Sequence, residues 1–275
     1  MEKPMTLGFS FCPNDTFIFG ALVKGFVDTG IKFEPVMADV EELNSLVMQH
    51  RLDVSKISYH TLGYVLNSYV MLEVGGALGE CCGPLVVAKG GTRIERLSSV
   101  VVPGLHTTAT LLLRIFFPHI QNLVVMRYDE IMPAVQRGLA EAGLIIHEGR
   151  FTYGEYGLSM LADLGEMWER ETGLPIPLGG IVAKRSLGRN RLKAVESAIH
   201  DSLRFARRNR EAIMSFIREH AQEMDDQVIS RHISLYVNHY TEGLQEKGRK
   251  AVENLLTLAQ EREIIPRVNL SPFMD

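Results

Sequence analysis

The sequence holds only three cysteines. Cys81 and Cys82 are adjacent and Cys12 lies far upstream, which is no disulfide framework. Neither a Cys-x-x-Cys nor a paired histidine motif of zinc spacing occurs, so no metal is expected. His232 and His239 are seven apart and could share a helix face, but no third ligand stands near them. No run of 18 apolar residues exists, and no membrane span is expected. The opening Met1-Glu2-Lys3-Pro4-Met5-Thr6 lacks a basic region followed by an apolar stretch, so no signal peptide and a cytoplasmic location are expected. Positive charge is not in excess. The net charge of −4 leaves no electrostatic footprint for nucleic acid. Low-complexity segments, linkers and the phosphate loop GxxxxGK[ST] are also missing.

What is present is an ordinary globular composition, 46% hydrophobic and 23% charged. A chain of 275 residues can bury about three quarters of its unfolded surface, enough for one large or two smaller domains. Short apolar runs alternate with helical stretches. Strands are expected over 6–11, 31–36 and 53–57, with helices over 14–26, 40–50 and 58–67, the first capped by Asn14 or Asp15. This order implies a mostly parallel sheet with right-handed crossovers. A second β-α-β-α-β run follows: strands 99–102, 123–127 and 143–146, helices 106–116 and 129–137. It is bracketed by two similar strands, Pro84-Leu85-Val86-Val87-Ala88-Lys89 and Gly180-Ile181-Val182-Ala183-Lys184-Arg185. After Arg185 the chain reads as helical to about Glu263.

The economical α/β architecture has two lobes joined by two crossover strands, the second lobe inserted into the first. That is a type II periplasmic-binding-protein-like layout with a central cleft. Residues 1–88 and 182–275 form the first lobe, and residues 89–181 the second. Small-molecule sites concentrate at such interfaces.

Four segments follow expected strands and should converge on the cleft. Ser10-Phe11-Cys12-Pro13-Asn14-Asp15 lies at a helix N-terminus, which favours an anion. Ordinary capping would explain Asn14 or Asp15 equally well. Cys12 could be a nucleophile, although no base adjoins it in sequence. Lys56 sits within an otherwise strand-like run, facing the cleft or solvent, with Ser58 as a helix cap. Pro103-Gly104-Leu105-His106-Thr107-Thr108-Ala109 opens a helix with two hydroxyls, where capping needs one. Free N–H groups there would hold a carboxylate. The fourth segment is Gly143-Leu144-Ile145-Ile146-His147-Glu148-Gly149-Arg150. His147 stands at a strand end, either as a structural histidine or as a general base near neutral pH. Glu148 or Arg150 could orient its imidazole or form a surface ion pair.

Together these motifs resemble the 1,4-dihydroxy-6-naphthoate synthases of the futalosine route to menaquinone. The resemblance runs over essentially the whole chain. It rests on Ser10-x-Cys12-Pro13-Asn14-Asp15-Thr16-Phe17, Asp39-Val40-Glu41-x-Leu43-Asn44, Lys56-x-Ser58-Tyr59, Gly75-Gly76-Ala77-Leu78-Gly79 with Gly83-Pro84-Leu85-Val86-Val87-Ala88, the Pro103–Ala109 segment, the His147 segment through Tyr153, and residues 172–181. It implies a lyase acting on cyclic dehypoxanthine futalosine, with His147 as proton acceptor and Lys56, Ile57, Ser58, Thr108 and Ala109 against the substrate. No metal or organic cofactor is implied. Thr107 would share in holding a small-molecule carboxylate, with Ser10 or Lys56 and Ser58 on sugar-derived oxygens and Asn14 nearby. The alternatives are a solute-binding protein for a small carboxylate and the sister chorismate dehydratase. Oligomeric state stays open, a homodimer included.

Overall fold

A computed structural model describes residues 3–221 and 225–274, so residues 222–224 of the expected helical stretch lie outside the described residues. Along the chain run β1 (Met5–Phe9), β2 (Phe33–Met37), β3 (Val54–Ser58), β4 (Tyr69–Met71), β5 (Ala77–Gly79), β6 (Leu85–Ala88), β7 (Ser99–Val102), β8 (Asn122–Val125), β9 (Ala142–Ile145), β10 (Ser159–Asp163) and β11 (Ile176–Lys184). The helices are α1 (Pro13–Val23), α2 (Val40–Met48), α3 (Tyr59–Val65), α4 (Thr108–Phe116), α5 (Tyr128–Arg137), α6 (Gly149–Thr152), α7 (Leu164–Thr172), α8 (Arg189–Arg208), α9 (Arg210–His220), α10 (Asp226–Tyr236), α11 (His239–Glu242) and α12 (Gln245–Glu261).

The strands form two sheets. The first has the order β2-β1-β3-β11-β4, with β5 also paired to β11. The second has the order β10-β6-β9-β7-β8. β1 is parallel to β2 and β3, as expected, but β11 runs antiparallel to β3, β4 and β5. The chain returning from the second sheet enters between β3 and β4 from the opposite end, so the sheet is mixed rather than mostly parallel. The two Val-Ala-Lys strands do not pair. β6 belongs to the second sheet and β11 to the first. The chain crosses outward between Gly79 and Leu85 and back between Asp163 and Ile176.

Local chemistry accounts for the elements. Pro13 occupies the first turn of α1, where its fixed φ suits a helix start and its missing N–H is not needed. Cys12 is the extended residue before it and makes no side-chain cap, so neither Asn14 nor Asp15 caps this helix. Beyond its first turn α1 is apolar on every side, because it packs against α8, α9 and α10. β3 is buried along its whole length, packed by α2 and α3, reached by Asp15 of α1 and flanked by β1 and β11. One apolar core runs through both sheets, from Leu43 and Ile57 to Val86, Leu144 and Trp168. Where β6 meets α7, Gly83 and Gly165 touch through backbone. A Cβ on Gly83 would lie 2.2 Å from the Gly165 nitrogen, so no side chain fits there.

Candidate active site

Asp15, in the first turn of α1, organises one wall. It is 2% exposed and pairs with Lys56, itself 5% exposed, with Nζ 2.8 Å from Oδ1. Lys56 also donates to the Gly75 carbonyl at 3.2 Å. Its place in β3, covered on both faces, removes the solvent-facing reading. Ser10 donates its hydroxyl to Asp15 Oδ2 at 2.7 Å and accepts from the Cys12 amide. That hydroxyl is engaged within the wall rather than offered to a substrate oxygen. Asn14 donates from Nδ2 to Asp15 Oδ1 at 2.9 Å and accepts at Oδ1 from His232 Nε2 at 2.9 Å.

Ser58 ends β3. Its amide donates to Asn44 Oδ1, and its Oγ accepts from Asn44 Nδ2 at 3.1 Å. The O–H remains able to donate. Ser58 stands at the N-cap position of α3 but makes no side-chain cap there. At the start of α4, Thr107 is the cap. It accepts from the Thr110 amide and donates to the Gly104 carbonyl at 3.1 Å, which engages both functions of its hydroxyl. Thr108 donates to the Leu178 carbonyl of β11 at 2.6 Å, tying the second sheet's helix to the first sheet. Ala109 follows, buried. Thr108 and Ala109 hold the first N–H groups of α4, which no helical carbonyl can satisfy.

His147 follows β9 by two residues, partly exposed, with φ of 57°. That left-handed backbone is uncommon outside glycine and turns the imidazole out of the strand line. Its ring meets Tyr128 edge-on, with centroids 5.0 Å apart. Cys12 Sγ lies 3.3 Å from Nδ1 and 3.5 Å from Nε2. Sequence reasoning gave Cys12 no neighbouring base, and the fold supplies one from 135 residues away. Burial, then the charges of Glu148 and Asp15, raise the Cys12 thiol well above its ordinary value. It therefore stays protonated near neutral pH, a weak donor to the imidazole rather than a nucleophile. Burial lowers the His147 pKa, against the opposing charges of Glu148 and Asp15. Arg150 does not touch the imidazole. It donates to the Gly83 carbonyl and to Asp163 Oδ2 at 2.6 Å.

Asp15, Lys56, Ser58, Thr108, His147 and Arg150 are among the residues that line one cavity of about 710 Å³, open solvent at its mouth included. All four segments singled out in the sequence reach it, through Ser10, Asn14, Lys56, Ile57, Ser58, Thr107, Thr108, Ala109 and His147. Sequence reasoning missed Cys82, Leu178, Tyr236 and His232 as lining residues. His232 lies on α10 while His239 begins α11, so the two do not share a helix face. Nothing in the local pattern of α10 marks its histidine, because the partner is Asn14, 218 residues away.

No helix among the described residues is long and apolar enough to cross a membrane. A family model described as "Menaquinone biosynthesis" matches residues 5–261. A 1,4-dihydroxy-6-naphthoate synthase of Thermus thermophilus is 46% identical over 260 residues, 94% of this chain and 95% of that protein. Its namesake in Streptomyces coelicolor is 45% identical over 267 residues, 95% of each chain. Among solved structures, an Archaeoglobus fulgidus protein superposes with a TM-score of 0.90 at 32% identity, covering 95% of this chain and 98% of that one. A Candida albicans protein described as having the generic periplasmic binding protein fold matches with a TM-score of 0.71 at 7% identity, covering 98% of this chain and 92% of that one, which bears on the fold alone. With the match running through nearly every element of both sheets, the chain belongs to the menaquinone-biosynthesis family.

Proposed function

We propose that this protein is a 1,4-dihydroxy-6-naphthoate synthase, converting cyclic dehypoxanthine futalosine to 1,4-dihydroxy-6-naphthoate and a dihydroxyacetone-type fragment. The observation that carries this reading is an imidazole whose pKa burial lowers, His147, at the edge of a cavity lined by both sheets. Neutral His147 takes a proton from the substrate, and the C–C bond to the sugar-derived fragment breaks with its electron pair leaving on that fragment. The imidazolium returns the proton there, and the naphthoate ring gains aromatic stabilisation that drives the step. A positioned general base typically contributes about 10²–10⁴-fold in rate. The free amides of Thr108 and Ala109 at the positive end of α4 suit the naphthoate carboxylate. Thr107 shapes that turn as its cap. Lys56 and Ser58, on β3 beside the start of α4, retain donors for sugar-derived oxygens.

Incubation with cyclic dehypoxanthine futalosine and, separately, with chorismate tests the assignment by mass analysis of products. Naphthoate from the first and no reaction with the second is expected. Turnover of chorismate, or binding without turnover of either, would replace it with the dehydratase or with a solute-binding protein. His147→Asn should lose turnover while still binding 1,4-dihydroxy-6-naphthoate. Near-parental turnover in that variant would remove His147 as the base.

A further inference from the structure

One buried imidazole has no part in the mechanism above. His232 is 1% exposed, lines the cavity, and has its ring centroid 6.3 Å from that of His147. Its hydrogen bonding is fixed by a chain of three links. Lys56 pairs with Asp15 Oδ1, a carboxylate oxygen that can only accept. The Asn14 group facing that oxygen at 2.9 Å must therefore be its NH2. The Asn14 oxygen is then left facing His232 Nε2, which must carry the hydrogen. A neutral imidazole protonated on Nε2 has a bare lone pair on Nδ1. Among the described residues that Nδ1 has no hydrogen-bond partner, although it is buried. The Tyr236 hydroxyl, whose ring packs on His232 at 4.7 Å, donates instead to the Cys82 carbonyl.

We propose that His232 is a specificity-determining residue whose Nδ1 accepts a hydrogen bond from a hydroxyl on the sugar-derived part of the substrate. Buried polar groups are nearly always satisfied, and a substrate hydroxyl would satisfy this one where binding shifts the side chains packed around the ring. A lone pair selects a donor and repels a carboxylate, so this wall takes the hydroxyl end and leaves the carboxylate to α4. Lys56, anchored in the same chain, lines the same cavity with a donor to spare. The inference rests on the proposed function, since it assigns a contact to that substrate.

The test uses two isosteric variants in a His147→Asn background, where turnover does not interfere. His232→Gln keeps an N–H where Nε2 donates to Asn14 and removes the acceptor. His232→Asn keeps an acceptor oxygen where Nδ1 stood. Binding of cyclic dehypoxanthine futalosine and of 1,4-dihydroxy-6-naphthoate is titrated for each, with thermal melts alongside. His232→Gln should weaken substrate binding about tenfold, the scale of one lost buried hydrogen bond, and leave binding of the naphthoate unchanged. His232→Asn should recover part of the loss. Substrate binding by His232→Gln within twofold of its parent, or equal losses for both ligands, overturns the inference. A parent that binds neither ligand overturns the proposed function instead, so the two failures are distinct.

Discussion

Cys12 and His147 meet behind the cavity lining, and each changes what the other can do. The thiol, held protonated by burial, leaves the imidazole as the basic partner. A net hydrogen bond is worth about 1 kcal/mol, so Cys12→Ala should lower kcat about fivefold with KM little changed, while Cys12→Ser keeps a donor and loses less. Steady-state kinetics of the two variants check this. The direction of the His147 shift sets the acid limb of activity. Its pKa falls below the ordinary 6.5, so the neutral base persists to lower pH than a free imidazole would. A profile of kcat/KM should therefore have the midpoint of its acid limb below pH 6.5. A midpoint above pH 7 would contradict the neutral-base assignment.

Among the elements, β3 and α1 depend on each other through Lys56 and Asp15. Removing one partner of a buried pair leaves the other charge uncompensated, which typically costs about 3–5 kcal/mol. Lys56→Met should accordingly lower the melting temperature sharply, while Lys56→Met with Asp15→Asn should recover part of it. Calorimetry of the single and double variants measures the coupling. The same strand shows what was legible beforehand. Its apolar residues and the strand-then-helix order announced β3, β7 and β9 to within a residue or two. Lys56 could not be placed, because alternation says which residues share a face but not that both faces are covered. β4, β5 and β10 escaped notice, being short runs of three to five residues whose pairing comes from distant strands. The direction of β11 was equally hidden, since hydrophobicity carries no sign of strand polarity.

For the molecule as a whole, three imidazoles are disfavoured from taking a proton. Burial lowers His147 and His232, and burial with the nearby His106 takes His60 from 6.5 to about 4. In the unfolded chain all three titrate near 6.5, so acid protonates the unfolded state first. Stability from these groups is full above about pH 6.5 and is lost as pH falls toward the folded values. The share of His60 alone reaches on the order of 3 kcal/mol by pH 4. Melting temperatures between pH 7.5 and 4.5 should fall accordingly, and fall less in His60→Gln. The four cavity segments were readable because each follows a strand, whereas α10 reaches the cavity only through the tertiary fold. Its His232 has no local signature that a sequence could display.

The left-handed backbone at His147 has a further consequence. Glycine enters that region without strain, whereas a side chain there costs about 1 kcal/mol or more. His147→Gly should therefore melt above His147→Ala, and both should be inactive. The replacement most comfortable for the chain is one that silences it. The backbone alone would favour glycine at this position, and the imidazole stands there against that preference, held among Tyr128 and Cys12.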